Sequence, residues 1–460
     1  MTMSYAHSAN AKIIILICCF ALVIGVAAYA YFLSDTNNEV LTKAEIEENI
    51  ESFHDKELGY TYTSSYIKKF GIGNINSYKI NIIEDTLSEQ FFKDLPKKNE
   101  IAKNVSLLFL EKYYDSIDLS NKEAVTDAVL TCYFTALDDP YAYYRPAPDF
   151  DEYMSSLNGD TLVGIGIMVN RETLEIMTVY KDSPAEEAGL LPGDVIYSID
   201  GITANDCSPE ELLGKMSGEA GTSVKIGVIR NGQIIETTAV RAVIEEKTVM
   251  YEMDKEKIGY IAITSFISTT YDQFTEAVDY CVENGAVALV IDVRYNPGGL
   301  LDSVVSVIDY LIPDSEGRVI ASYTHSGTTY TYTTTDKHSV DIPIAVICNE
   351  YTASAGELFT GAIKDFSNSK VIEGIVVGKT TYGKGVAQTS VMLYDNSGIT
   401  FTIGQFNPPS GINFNGVGVI PDFEVTESET EDLPYKTAKS EILKLVYTNG
   451  DSINTLSAKA

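Results

Sequence analysis

The chain has 460 residues, with 65 Asp and Glu against 33 Lys and Arg for a formal net charge of −32. With 45% apolar and 21% charged residues the composition is globular rather than disordered, and at ~100–200 residues per domain the length allows two to four domains. The acidity counts against nucleic acid and against anionic membrane surfaces as partners, because both need clustered Lys and Arg. The four histidines, His7, His54, His325 and His338, are scattered, and no H-x-x-x-H or C-x-x-C pair occurs, so no metal site is expected.

At the amino end, Ile13–Leu33 is a run of 21 residues without a charge, long enough to cross ~30 Å of hydrocarbon as a helix. Lys12 before it and Asp35 and Glu39 after it favour the amino end inside and the bulk outside. The length suits an uncleaved anchor at 13–33 behind a short cytoplasmic end at 1–12. The competing expectation is a cleaved signal peptide, for which Ala28-Tyr29-Ala30 supplies small residues. On both readings the rest of the chain works outside the cytoplasm. Cys18 and Cys19 lie in this run. Cys132, Cys207, Cys281 and Cys348 are far apart, and they read as buried free thiols rather than a disulfide framework.

Residues 34–100 are polar and charge-rich, a stalk or a divergent helical region. From Ile101 apolar residues recur at helical spacing through Tyr113 and again from Ala124 to Cys132, a helical part spanning 101–155. Within it, Leu137-Asp138-Asp139-Pro140-Tyr141 breaks the helix. Residues 156–243 change to short strands and turns. Gly164–Val169 reads as one strand, Ser208 as a cap for a helix through Met216, and Asn231-Gly232 as a hairpin turn. From 244 to 425 strands alternate with helices: Tyr260–Ile263, Ala288–Val293 and Ile344–Cys348 against helical stretches such as Leu300–Leu311 and Ala355–Phe366. This alternation implies an α/β layered domain, with active residues at strand ends and helix starts. A helical tail closes the chain at 426–460.

Three segments could carry chemistry. Ser354, in Thr352-Ala353-Ser354-Ala355-Gly356-Glu357, follows a strand and opens a helix, where the Ala355 amide is placed to donate to an oxyanion. Lys384 lies between Gly383 and Gly385, and a desolvated Lys can serve as a base. Gly298-Gly299 ends the run Asp292-Val293-Arg294-Tyr295-Asn296-Pro297, offering further amides. Each has a plainer reading: a helix cap, a solvated turn Lys, a tight turn, and an Arg294 that merely pairs with Asp292.

Taken together the segments resemble the carboxyl-terminal processing peptidases, or tail-specific proteases, which are serine peptidases with a Lys base. Their pattern of D-x-R-x-N-x-G-G, S-A-S-A-S-E and T-F-G-K-G-x-x-Q is followed here in order. The resemblance implies Ser354 as nucleophile, Lys384 as base, Gln388 as the residue orienting the Lys, and Ala355 with Gly298 and Gly299 as oxyanion donors. Leu137–Tyr141, the Pro408-Pro409-Ser410-Gly411 run and Gly416–Asp422 match as well. Ser183-Pro184-Ala185 and Gly189–Asp194 are PDZ-like, and Gly164, Ile165, Gly166 and Ile167 correspond to a carboxylate-binding loop. The implied architecture is a crotonase-like layered hydrolase core with an inserted PDZ-like module. Gly356, Thr352 and Tyr382 depart from the pattern, and extra residues near Ser367–Val371 lengthen the Ser354-to-Lys384 spacing.

The expected function is a membrane-anchored endopeptidase that cuts extracytoplasmic proteins near free C-termini, without cofactor and with room for a homodimer. The alternatives are an inactive membrane-tethered peptide-binding scaffold and a Ser-His-Asp hydrolase using His325 or His338.

Overall fold

The computed structural model describes residues 41–457 apart from 54–59, 160–161, 171–172, 181–182, 245, 314–316, 326, 336–337 and 429. Ile13–Leu33 and Ala28-Tyr29-Ala30 lie outside these residues. No helix among the described residues is long and apolar enough to cross a membrane. The chain divides into two compact units, one running to Phe150 and including Gln388–Gly404, the other comprising Asp151–Ala387 and Gln405–Ala460.

Among its described residues the first unit is built on the helices Lys43–Ser52, Thr63–Phe70, Ser77–Gln90, Lys98–Lys112 and Lys122–Ala136. Their starts are fixed locally: Thr42 and Glu45 form a reciprocal capping box, and the Asn121 side chain accepts the amides of Glu123 and Ala124. The described residues of the segment expected as a stalk or divergent helical region are thus largely helical, with Ile46, Ile67, Phe70, Ile80 and Ile83 buried in one core with Val105, Phe109, Val129 and Tyr133. Beyond the helix break, Tyr143–Arg145 pairs antiparallel with Gly398–Thr400.

In the second unit, residues 162–244 form a β-rich module. Ser223–Arg230 and Gln233–Val240 pair in register around Asn231-Gly232, whose φ values of +52° and +77° suit the tight hairpin turn read from the sequence. The strand expected over Gly164–Val169 is instead two. Leu162–Gly164 pairs with Ala242–Ile244, and Ile167–Val169 pairs with Ile176–Val179. Gly166, at φ +82°, separates them. The helix after Ser208 is shorter than expected, Pro209–Gly214.

The remainder is organised on a six-stranded sheet in the order Val249–Met253, Ile258–Ile263, Ala288–Asp292, Ile344–Cys348, Gly374–Gly378 and Phe423–Glu424. The first pair is antiparallel and the others are parallel. Every residue of Ala288–Asp292 and Ile344–Cys348 is buried, because both faces are covered. Leu289, Ile291, Val346 and Cys348 pack with the helices Thr270–Glu283, Leu301–Leu311 and Ala355–Asn368. Val290, Ala345 and Ile347 pack on the opposite face with Ala438 and Ile442 of the helix Leu433–Ser457. The strands are aligned so that Asp292 stands beside Ile347 and Cys348 beside Gly378. Their three following loops thus leave the sheet at one edge, the carboxyl ends of parallel strands, where α/β proteins place their sites.

Candidate active site

The loop after Ala288–Asp292 is held from inside by Asn296, which is fully buried. Its Nδ2 donates to the Ile263 carbonyl at 2.8 Å, its Oδ1 accepts the Gly298 amide at 2.8 Å, and its carbonyl accepts the Ala353 amide at 2.8 Å. Gly298 lies so close to the next loop that a Cβ there would stand 2.7 Å from Ser354 Cβ, and at Gly299 a Cβ would run into the Phe266 carbonyl. Both positions, at φ +105° and +140°, require glycine. Of the three amides expected to serve an oxyanion, that of Gly298 is engaged with Asn296. Those of Gly299 and Ala355 donate to no acceptor among the described residues.

Ser354 is half-buried at the start of Ala355–Asn368, with φ +54° and ψ −116°. A non-glycine residue held in this region stores ~1–3 kcal/mol of strain, sustained by its surroundings. Those surroundings are specific. Thr352 Oγ1 donates to the Val293 carbonyl at 2.8 Å and accepts the Asn349 amide at 3.0 Å. Glu357, fully buried one turn into the helix, reaches back with Oε2 to accept the Ser354 amide at 2.9 Å.

The same carboxylate organises the third loop. Glu357 Oε2 accepts the Lys384 amide at 2.7 Å, and Oε1 accepts the Gly383 amide and the Thr381 hydroxyl, each at 2.6 Å. Burial pushes the Glu357 carboxyl above its ordinary range, and the four donors pull against that rise. Tyr382 adds an amide bond of 3.0 Å to the Thr352 carbonyl. From the other side Asn415 Oδ1 accepts the Gly385 amide at 3.1 Å, Asn413 Nδ2 donates to the Gly385 carbonyl at 2.9 Å, and the Gly416 amide donates to the Gly383 carbonyl at 2.8 Å. Lys384 is half-buried. The extra residues near Ser367–Val371 end the helix and turn at Lys370, φ +60°, on a part of the fold that leaves the two backbones tied to one oxygen.

Gln388 lies in the strand Val386–Met392, four residues after Lys384, and its Nε2 donates to the Tyr141 carbonyl. In the β-rich module, a Cβ at Gly166 would run into the Ser183 side chain, and the Gly166 carbonyl accepts the Tyr180 amide at 2.9 Å. Ile165 is 2% exposed and packs in the module's core with Ile176, Ala185 and Leu190, so of the two apolar side chains in the loop only the half-buried Ile167 is open to a ligand. Ile167–Val169 pairs with no described strand besides Ile176–Val179, which leaves one edge open.

His338 is stacked on Tyr310 at 3.7 Å, with Nδ1 2.7 Å from the Tyr310 carbonyl, and His325 is stacked near Tyr323. Cys132, Cys281 and Cys348 are buried free thiols, and Cys207 is half-exposed. Burial pushes the Cys348 thiol up to about 12, too high for a nucleophile near neutral pH. Arg294 does pair with Asp292, at 2.6 Å, and also with Asp432 at 2.8 Å.

The residues that sequence reasoning passed over are Glu357, Asn296, Asn349, Asn413 and Asn415. Two of them carried a signal: Glu357 stands three residues after Ser354 in the spacing of a capping box, and Asn296 is the Asn of the D-x-R-x-N-x-G-G run.

The profile of Peptidase family S41 matches residues 257–425, and that of a PDZ domain matches residues 175–230. The chain is 31% identical over 329 residues to a carboxyl-terminal-processing protease of Synechocystis, covering 70% of this chain and 75% of that protein. It is 31% identical to carboxy-terminal processing protease CtpA of Bacillus subtilis, covering 74% of this chain and 70% of the relative. Against a probable CtpA-like serine protease of Staphylococcus haemolyticus the identity is also 31%, over 68% of this chain and 62% of that one. With this likeness across the β-rich module and the layered core, the chain belongs to the carboxyl-terminal processing proteases, serine peptidases of family S41 that carry a PDZ domain.

Proposed function

We propose that this chain is a membrane-anchored endopeptidase that cleaves extracytoplasmic proteins near their C-termini through a Ser354–Lys384 dyad. Ser354 Oγ attacks the scissile carbonyl while a neutral Lys384 amine takes the hydroxyl proton. The oxyanion is received by the amides of Ala355 and Gly299, with Gly298 allowing the two loops their close approach. Lys384 then protonates the departing amine; water, deprotonated by the same Lys, attacks the acyl carbon, and that proton passes to Ser354 Oγ as it leaves, restoring the hydroxyl and the neutral amine. Gln388 orients the Lys. The PDZ domain takes the substrate's terminal carboxylate on the amides of the Gly164–Ile167 loop, and the tail adds as a strand along the open edge of Ile167–Val169. The uncharged run Ile13–Leu33 would hold the enzyme to the membrane, with the domains outside.

One observation carries the reading: the shared Glu357 oxygen, which brings the backbones of the proposed nucleophile and base onto one acceptor. The test is cleavage of a protein substrate by purified variants. Ser354→Ala and Lys384→Arg are each expected to reduce cleavage to background with unchanged circular dichroism. Most of the activity surviving in Lys384→Arg would overturn the base assignment, since a guanidinium does not deprotonate. A protease added to intact cells should reach the chain beyond Leu33, and protection there would reverse the topology.

A further inference from the structure

Each of the three loops carries a tyrosine that is 59% exposed: Tyr295 before Gly298, Tyr351 before Ser354, and Tyr382 before Lys384. Tyr295 and Tyr351 stack on one another, with ring centroids 5.3 Å apart and planes 14° from parallel. Their backbones are pinned to one side chain, because the buried Asn349 Oδ1 accepts the amides of both Tyr295 and Tyr351 at 3.1 Å. Glu427 closes the set, accepting from Tyr295 Oη at 2.8 Å and from Asn349 Nδ2 at 3.2 Å. Tyr295 sits at φ +60°, a conformation that Asn or Gly would adopt more readily. Strain of this sort persists where the surroundings over-determine it, and it clusters at functional sites.

Two large rings are therefore held rigid, yet open to solvent, on the loops that bear the proposed nucleophile and oxyanion glycine. A fixed aromatic surface binds at low entropic cost, because its rotamers are already set. With the Tyr295 hydroxyl committed to Glu427, ring surface is what the pair offers.

Building on the peptidase reading, we propose that the stacked Tyr295–Tyr351 pair is a specificity platform for an aromatic side chain of the polypeptide substrate, close to the scissile bond. The experiment uses internally quenched peptides that differ only by Phe or Ala at one position, scanned across the residues flanking the cut. The wild-type chain is expected to favour Phe at one position by about threefold to tenfold in kcat/KM, the range of an aromatic pair. Tyr351→Ala should bring that ratio close to one, while Tyr351→Phe, which keeps the ring, should retain it. A ratio unchanged in Tyr351→Ala, or no Phe preference at any position, overturns the platform. Binding of the same peptides to Ser354→Ala is measured in parallel by fluorescence anisotropy. If no wild-type cleavage occurs, the peptidase reading falls, and the platform is judged on whether Tyr351→Ala in that background abolishes the Phe-over-Ala binding ratio.

Discussion

Ser354 and Lys384 donate their backbone amides to the same atom, Glu357 Oε2, at 2.9 and 2.7 Å. Two amides on one buried carboxylate oxygen fix the separation of two loops more tightly than side-chain packing does. They do so in a setting where each bond to a charged acceptor is stronger than a neutral one. The carboxylate also holds Gly383 and Thr381, so the loop after Gly374–Gly378 and the start of Ala355–Asn368 are tied through one side chain.

Glu357→Gln keeps the shape but turns one oxygen into an NH₂ facing N–H donors. Stability is expected to fall by ~1–3 kcal/mol, the cost of leaving buried donors unmatched. The rate should fall by ~10- to 100-fold through displacement of the reacting groups, with KM much less affected. Chemical denaturation and steady-state kinetics on the same preparation check both.

Gly298→Ala introduces a Cβ 2.7 Å from Ser354 Cβ at a φ of +105°. The strain is ~1–3 kcal/mol, and because the clash falls on the Ser354 turn, kcat should drop by at least about tenfold. Labelling by a serine-directed fluorophosphonate should slow in parallel. A variant with normal labelling and normal kcat would mean that the loop yields elsewhere.

In the PDZ domain Arg230 binds Asp194 through Nε at 2.6 Å and a second nitrogen at 2.7 Å. These hydrogen bonds pull the Asp194 carboxyl below its ordinary range against the opposing effect of burial. A depressed folded-state pKa contributes stability that is present above the unfolded value near ~3.9 and is lost as pH falls through the folded value. The protection of the Val195–Ile199 amides against hydrogen exchange, taken relative to their intrinsic rates at each pH, should therefore fall as the pH drops below about 4, and Arg230→Gln should flatten that dependence.

Peptides ending in a free apolar residue should be cut about tenfold faster than the same peptides with amidated ends, the worth of charge-assisted bonds to a carboxylate. Since Ile165 is packed into the domain's core, Ile167→Ala should change the preference for the terminal residue, whereas Ile165→Ala should lower the melting temperature instead. Equal rates for free and amidated peptides would overturn the proposed carboxylate recognition by the Gly164–Ile167 loop.

Most of the elements of the layered core and the chemical candidates are legible in residue order alone. Strand and helix alternation from 244 onward follows from which face of each segment is apolar, and the Asn231-Gly232 turn follows from two residues that tolerate positive φ. Ser354 stands out because it opens a helix after a strand, and Lys384 because it lies between Gly383 and Gly385 after an apolar run. The tertiary structure decided which backbone groups those residues use. Glu357 and Lys384 are 27 positions apart, and no local pattern states that a carboxylate in a helix's first turn will receive an amide from another loop. The same holds for the Gly298 amide turned onto Asn296, for Ile165 drawn into the PDZ core, and for Tyr295 laid on Tyr351. Hydrophobic burial is written into residue type and spacing. The partner of a polar group is set by the register of parallel strands that bring distant loops to one edge of the sheet.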